Sequence, residues 1–139
     1  MEITAIALQT VEANQNVLFT DTAVCGSNSI LHRDGSGLVT LRGITNQCRA
    51  RFRVFFSGNI AIPTGGTVGP ISVAIAINGE AVGSTTMIQT PAAVEQFANV
   101  ASAVYLDVPA GCCSQITVQN TSTEAIEVQN ANLIIERVA

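Results

Sequence analysis

The residues best suited to chemistry are the single histidine, His32, and the four cysteines. Paired with Cys25 or Cys48, the imidazole of His32 could activate a thiol nucleophile. However, a lone histidine beside scattered cysteines is a weak motif, and the segment His32-Arg33-Asp34-Gly35 is typical of a surface loop. We therefore predict that the chain is not an enzyme and has no catalytic residue.

The four cysteines could also bind zinc or form disulfides; they are Cys25, Cys48, Cys112 and Cys113. No two of them have the C-x₂₋₄-C spacing with which structural zinc sites usually begin, so we predict no metal and no cofactor. Because neighbouring side chains diverge in an extended chain, a bond between Cys112 and Cys113 would be strained. Each cysteine could instead bond to another one, in the chain or in another subunit. The alternative is buried free thiols that pack as small hydrophobes, and we expect Cys48, next to a predicted core strand, to be shielded.

The basic residues are concentrated in the run Arg49-Ala50-Arg51-Phe52-Arg53. Such a run could bind an anion or nucleic acid, or it could line a subunit interface and pair with Asp107 or Glu136. The net charge of −4 favours the interface, and we predict no nucleic-acid partner. In Asp34-Gly35-Ser36-Gly37 there is only one carboxylate, which favours a turn over a calcium loop.

Lysine is absent, so the six basic residues are all arginines. P-loop and Schiff-base chemistry both require a lysine, and the sequence excludes them. This supports a role other than catalysis.

The elements that position these residues are almost all strands, because apolar residues alternate in short runs between turn residues. Asn78-Gly79 is the strongest hairpin signal, since a type I′ turn needs positive φ at both central positions. The one helical turn is predicted at 91–96. About nine or ten antiparallel strands without a linker predict a single all-β domain over residues 1–139, a sandwich or jelly roll. The predicted strands span residues 3–10, 16–20, 38–43, 49–58, 71–78, 84–89, 98–108, 114–120 and 126–137.

Alternation assigns the two faces of the long strands, since successive side chains point in opposite directions. In 49–56 one face is apolar, and Arg49, Arg51, Arg53 and Phe55 lie on the other. In 98–108, Ala101, Ala103 and Tyr105 lie opposite the face with Val100, Val104 and Val108. The first and last predicted strands are apolar on both faces. With no helices to cover such strands, we expect another subunit to do so.

The composition supports an oligomer as well. Hydrophobic residues make up 47% of the chain and charged residues 12%, and the mean hydropathy is +0.40. No apolar run approaches the roughly 18 to 20 residues of a membrane-spanning helix, so we predict no membrane insertion. The excess apolar surface is better explained by a subunit interface.

The first residues of the sequence, Met1 to Ile6, contain an acidic residue and neither a basic segment nor a continuous apolar one. This pattern is unlike a secretory signal. We expect synthesis in the cytoplasm and a final location on a spore or cell surface or in a virion. The thiols would then be made reduced and meet an oxidant later.

The order of segments resembles the TNF/C1q-like jelly-roll superfamily over nearly the whole chain. It is most similar to the bacterial and phage version found as the C-terminal head of collagen-like exosporium glycoproteins. There is no Gly-X-Y stalk, and aromatic residues make up only 4% of the chain. The matching stretches are residues 34–41, 51–56 (Arg-Phe-Arg-Val-Phe-Phe), 71–80 (Ile-Ser-Val-Ala-Ile-Ala-Ile-Asn-Gly-Glu), 103–111 (Ala-Val-Tyr-Leu-Asp-Val-Pro-Ala-Gly) and 130–138.

The resemblance implies a homotrimer whose inner sheets pack about a threefold axis. The residues it places in the trimer interface are Tyr105, Ala101, Ala103, Phe55, Arg51 and Arg53. No stretch matches a receptor-binding loop, so a signalling function is not implied. We predict a structural protein that forms a homotrimer, with higher-order assembly open. The alternative is a trimeric adhesin or carbohydrate-binding head.

Overall fold

Twelve strands and one short 3₁₀ helix make up the computed structural model, which describes all 139 residues. The strands form two antiparallel sheets of six strands each. The fold is therefore all-β, as predicted. The strands are β1 (Glu2–Ala5), β2 (Gln9–Val11), β3 (Asp21–Val24), β4 (Ile30–His32), β5 (Val39–Arg42), β6 (Arg49–Ala61), β7 (Ile71–Ile77), β8 (Glu80–Ala81), β9 (Met87–Gln89), β10 (Ala98–Pro109), β11 (Cys113–Asn120) and β12 (Ile126–Arg137).

The first sheet has the strand order β10-β6-β12-β1-β3, and β2 pairs with β12. The second has the order β4-β5-β11-β7-β8, and β9 pairs with β7. Strands that are neighbours in a sheet are mostly distant in the chain, as in a jelly roll. The longest ladder joins β10 to β6 without interruption, from Ala98 opposite Ile60 to Pro109 opposite Arg49.

The core lies between the two sheets and is built by the alternation predicted from the sequence. In β6, Phe52, Val54 and Phe56 are completely buried, and the residues that alternate with them are partly exposed. The ring of Phe56 meets that of Phe19 edge to face, with 6.5 Å between centroids. Leu133 and Ile135 of β12 face the same core, which contains 27 buried apolar residues in one cluster.

One edge of the second sheet is flanked by the short strands β8 and β9 and by the 3₁₀ helix between them. The 3₁₀ helix, Gly83–Thr85, lies beside β7, where Thr85 Oγ1 accepts a hydrogen bond from the backbone N–H of Ile75 at 3.0 Å. Thr85 thus bonds to β7 between the short strands β8 and β9. The helical turn predicted at 91–96 is wrong, because the only helical element is at Gly83–Thr85.

Several predicted strands are broken or absent. The prediction 3–10 is split into β1 and β2, and Ile6 and Leu8 lie between them, exposed, so this segment is not a strand with two apolar faces. The prediction 16–20 has only isolated bridges, at Asn16 and Phe19. The strands β3, β4 and β8 were not predicted from the sequence; they are short and lie at the edges of the sheets. No helix in the structure has the length and apolar character needed to cross a membrane.

Candidate subunit interface

One face of the first sheet points away from the core, and we call it the open face. At one edge of the sheet, this face is formed by the outward side chains of β6 and of the edge strand β10, which alternate with the more buried ones. The register places Ala103 opposite Phe55, Tyr105 opposite Arg53 and Asp107 opposite Arg51. Residues opposite each other in adjacent strands share a face. The structure thus brings the six residues of the predicted interface, Tyr105, Ala101, Ala103, Phe55, Arg51 and Arg53, onto one face.

An apolar row crosses the middle of the open face. Ala103 is opposite Phe55, and Phe55 is opposite Ile134 of β12. The apolar row ends at Ile134, because its next neighbour is Glu2 of β1; beyond Glu2 lies Val24 of β3, which is 54% exposed. The sequence pattern does not predict this row, because the row depends on the register between strands that are far apart in the chain.

Tyr105 is the most exposed aromatic residue of the protein, at 65% of its surface. Ala103 and Ala101 precede Tyr105 in β10 and lie on the same face. Because their side chains are short, they do not cover the ring. The ring is therefore accessible to a partner that approaches the open face.

Charged residues flank the apolar row in ion pairs. Arg51 binds Asp107 with two hydrogen bonds of 2.8 and 3.2 Å, and Arg49 lies 3.4 Å from the same carboxylate. Hydrogen bonding to Arg51 lowers the pKa of Asp107, and the same bond raises the pKa of Arg51. In the row of Tyr105 itself, Arg53 lies between Tyr105 and Glu136, and its guanidinium is 3.6 Å from the carboxylate of Glu136.

These pairs bear on the two interpretations of the arginine run, an anion-binding patch and an interface. Arg49, Arg51 and Arg53 each have a carboxylate within 4 Å in their own chain, the two acidic residues named from the sequence. The guanidinium of Arg53 also lies over the ring of Phe55, 5.7 Å from its centroid. A phosphate-binding patch needs cationic groups that are free to contact phosphate. The run is thus better suited to a packed surface than to nucleic acid.

His32 does not lie in a surface loop, and that prediction is wrong. It is in β4, and its side chain is completely buried. Its Nε2 donates a hydrogen bond to the carbonyl oxygen of Ser36 at 2.9 Å, and Nδ1 lies 3.7 Å from Asp34. The imidazole thus bonds within its own hairpin. No group of three or more histidine, cysteine or acidic side chains is placed to hold a metal ion.

All four cysteines are free and exposed. The alternative of buried thiols is therefore wrong, and so is the expectation that Cys48 is shielded. Cys48 lies in the loop before β6, where its carbonyl oxygen accepts a hydrogen bond from Ala110 and its side chain is outside the core. Proximity in sequence to a buried strand did not imply burial.

Comparison with known proteins supports the class of fold that this geometry defines. No protein-family profile and no curated protein sequence matches the chain. Among solved structures, it is similar to a TNF protein, Eiger from S. frugiperda, with a TM-score of 0.66, 12% identity and coverage of 100% of this chain and 92% of that one. The chain thus has a TNF/C1q-like jelly-roll fold, as the sequence predicted.

Two further structures show the same fold. The globular domain of zebrafish complement 1qA aligns with a TM-score of 0.63 and 9% identity, over 96% of this chain and 93% of that one. Murine APRIL aligns with a TM-score of 0.60 and 8% identity, over 95% and 96%. Identities this low show the fold and leave the function to be argued from the site.

Proposed function

We propose that the chain is a non-catalytic structural protein that forms a homotrimer through its open face and is part of a larger assembly. The observation that carries the proposal is the open face itself, where an apolar row and an exposed tyrosine lie on a sheet that no helix of the chain covers. Apolar surface of this kind marks interaction sites.

The charges on the open face favour another copy of this chain as the partner. Arg51 with Asp107 and Arg53 with Glu136 are neutralised within the chain, so a partner need not supply counter-charges. Alanines at 101 and 103 allow close approach beside Tyr105, and aromatic residues are enriched at such contacts. The TNF/C1q-like resemblance adds the number of copies, three about one axis.

The proposal also includes the larger assembly to which the trimer belongs. A spore or cell surface, a filament or a virion fits the sequence resemblance to exosporium heads, with synthesis in the cytoplasm. The alternative, a trimeric adhesin or carbohydrate-binding head, would use loops instead of the open face. Glycan-array binding by the purified protein would favour that alternative.

The test is the oligomeric state of the wild-type protein and of two variants. We expect the wild type to sediment at about three times the chain mass of 14.4 kDa. Tyr105→Asp should give folded monomers, because it places an unpaired charge in a dry interface, a penalty of several kcal/mol. The matched control is Leu31→Asp, at an exposed position in β4 of the second sheet, which should remain trimeric. A wild type that is monomeric at micromolar concentration would overturn the proposal.

A further inference from the structure

The four cysteines, distant in the sequence, lie at one end of the sandwich. Cys25 directly follows β3, whose last residue, Val24, pairs with Glu2. The next residue, Gly26, lies against the N-terminus, where a Cβ built on it would be 3.0 Å from Met1 Cβ. The β3–β4 loop that begins with Cys25 is therefore beside the start of the chain.

The other three cysteines lie where two further loops meet. The carbonyl of Cys48 accepts a hydrogen bond from Ala110 at 3.0 Å, and that of Cys112 accepts one from Gly43 at 2.9 Å. Cys113 is the first residue of β11 and pairs with Arg42. The β5–β6 loop and the β10–β11 turn are thus joined by backbone hydrogen bonds.

Arg42 connects this pair of loops to the first one. Its N–H donates to the carbonyl of Ser29 at 2.8 Å, and its guanidinium donates to that of Asn28 at 3.3 Å. The residues 25–29, 43–48 and 110–113 therefore form one surface, which we call the cysteine end. Every cysteine of the chain is on it.

Exposed free thiols are unusual, since free cysteine is among the residue types most often buried. Here all four are exposed, and they are restricted to one end. Within one chain they do not form a metal-binding group. The arrangement fits thiols that react with the exposed thiols of a partner. A second copy of the cysteine end is such a partner.

We propose that two cysteine ends join end to end through disulfides of Cys112 or Cys113. These two residues are closest to the tip of the β10–β11 turn, which is closed by a hydrogen bond from Cys112 N–H to the carbonyl of Pro109 and has Gly111 at φ 78°. The linkage of two chains does not depend on the trimer. Its larger consequence, a pair of trimers joined end to end, rests on the proposed function.

The reaction needs an oxidant, which we take to be a low-molecular-weight disulfide such as oxidised glutathione. A thiolate of one copy attacks that disulfide, forms a mixed disulfide and releases one small thiol. The corresponding thiolate of the second copy then attacks the protein sulfur and releases the second small thiol. Two protein thiols are oxidised and one small disulfide is reduced to two thiols, so atoms and electrons balance.

The experiment oxidises reduced, purified protein with glutathione disulfide and follows it by non-reducing gels, sedimentation and mass mapping. We expect a covalent two-chain band that dithiothreitol removes, and sedimentation at about six chains. The double variant Cys112→Ser/Cys113→Ser should lose at least about nine tenths of that band, whereas the matched control Cys25→Ser should keep it.

Other outcomes overturn the proposal. Disulfides within one chain, glutathione adducts alone, or a two-chain band in particles that still sediment as trimers would each contradict end-to-end joining. A band that survives in the double variant would do so too. The same measurements test the trimer separately. Covalent pairs that sediment as two chains would support the disulfide linkage and contradict the trimer. Trimers that never cross-link would support the trimer and contradict the linkage.

Discussion

At the scale of single residues, Glu127 of β12 is the most unusual charged group. It is only 8% exposed, and its Oε2 has no hydrogen-bond partner. Burial raises the pKa of Glu127, and the negative charge of Glu95 raises it further. Glu95 Oε1 accepts hydrogen bonds from the N–H and hydroxyl of Thr64, at 3.1 and 2.6 Å, which lower the pKa of Glu95. The two carboxyl groups are therefore expected to titrate separately.

These shifts predict how stability depends on pH. Because the pKa of Glu127 is higher in the folded protein than the ordinary 4.5, the unfolded chain loses this proton first as pH rises. Stability from this group is therefore complete below pH 4.5 and is lost as pH rises through its folded pKa. The Glu127→Gln variant does not ionise and therefore avoids this loss of stability at high pH. The amide N–H of the glutamine can also donate a hydrogen bond to the carboxylate of Glu95.

We expect Glu127→Gln to unfold at a higher temperature than the wild type at pH 7 to 8 and at nearly the same temperature at pH 4. Thermal melts across this range measure the difference. Glu124→Gln, at an exposed position four residues from the end of β11, is the control and should follow the wild type. A Glu127→Gln variant that is less stable than the wild type at pH 8 would show that ionised Glu127 is stabilising.

At the scale of elements, the sandwich is held together at the cysteine end by one close approach. Gly43 N–H donates to the carbonyl of Cys112, and its own carbonyl accepts from Gly111. A Cβ at position 43 would lie 2.1 Å from the carbonyl oxygen of Pro109, which is backbone and cannot rotate away. The β5–β6 loop can therefore contact the β10–β11 turn only because residue 43 has no side chain.

We accordingly predict that Gly43→Ala destabilises the protein by about 1 to 3 kcal/mol, the usual cost of overpacking. Urea unfolding gives the free energy of unfolding of each variant. Gly69→Ala is the matched control, because a Cβ there meets no atom within 4 Å, and it should differ little from the wild type. Equal stability of the two variants would mean that the loops separate at little cost.

At the scale of the whole molecule, the two sheets are covered unequally. Both bury one face in the core, and β7 of the second sheet also buries Ala74 and Ala76 on its other side. The first sheet leaves Tyr105, Phe55 and Ile134 on the open face. Stability of the folded chain should therefore depend on other copies covering that face.

If the trimer is the stable form, its melting temperature should rise with protein concentration, because unfolding releases three chains from one particle. Melting curves over a hundredfold range of concentration measure this. Tyr105→Asp should melt at a lower temperature that does not change with concentration. A wild-type melting temperature that is constant over the same range would indicate that folding is independent of assembly.

Features that depend on local alternation could be predicted from the sequence. Period-two patterning placed Phe52 in the core and Tyr105 on the opposite face, and β12 has the predicted bounds, 126–137. Such patterns are reliable in long strands because a shift of one residue would expose the whole apolar set. The same pattern predicted a sandwich or a jelly roll, since many short strands without helices have few ways to bury one face each, and the family resemblance pointed to the jelly roll.

Tertiary structure alone decided the features that depend on distant partners. The strand β3 is short and mostly exposed, and it is a strand because the edge of β1 offers hydrogen bonds. The apolar row from Ala103 to Ile134 exists because strands far apart in the chain are held in one register. The four cysteines likewise lie at one end because the fold places the β3–β4, β5–β6 and β10–β11 connections next to each other. The sequence around an exposed side chain does not indicate which residues of other strands or loops lie beside it. These surfaces can therefore be recognised only in the folded chain.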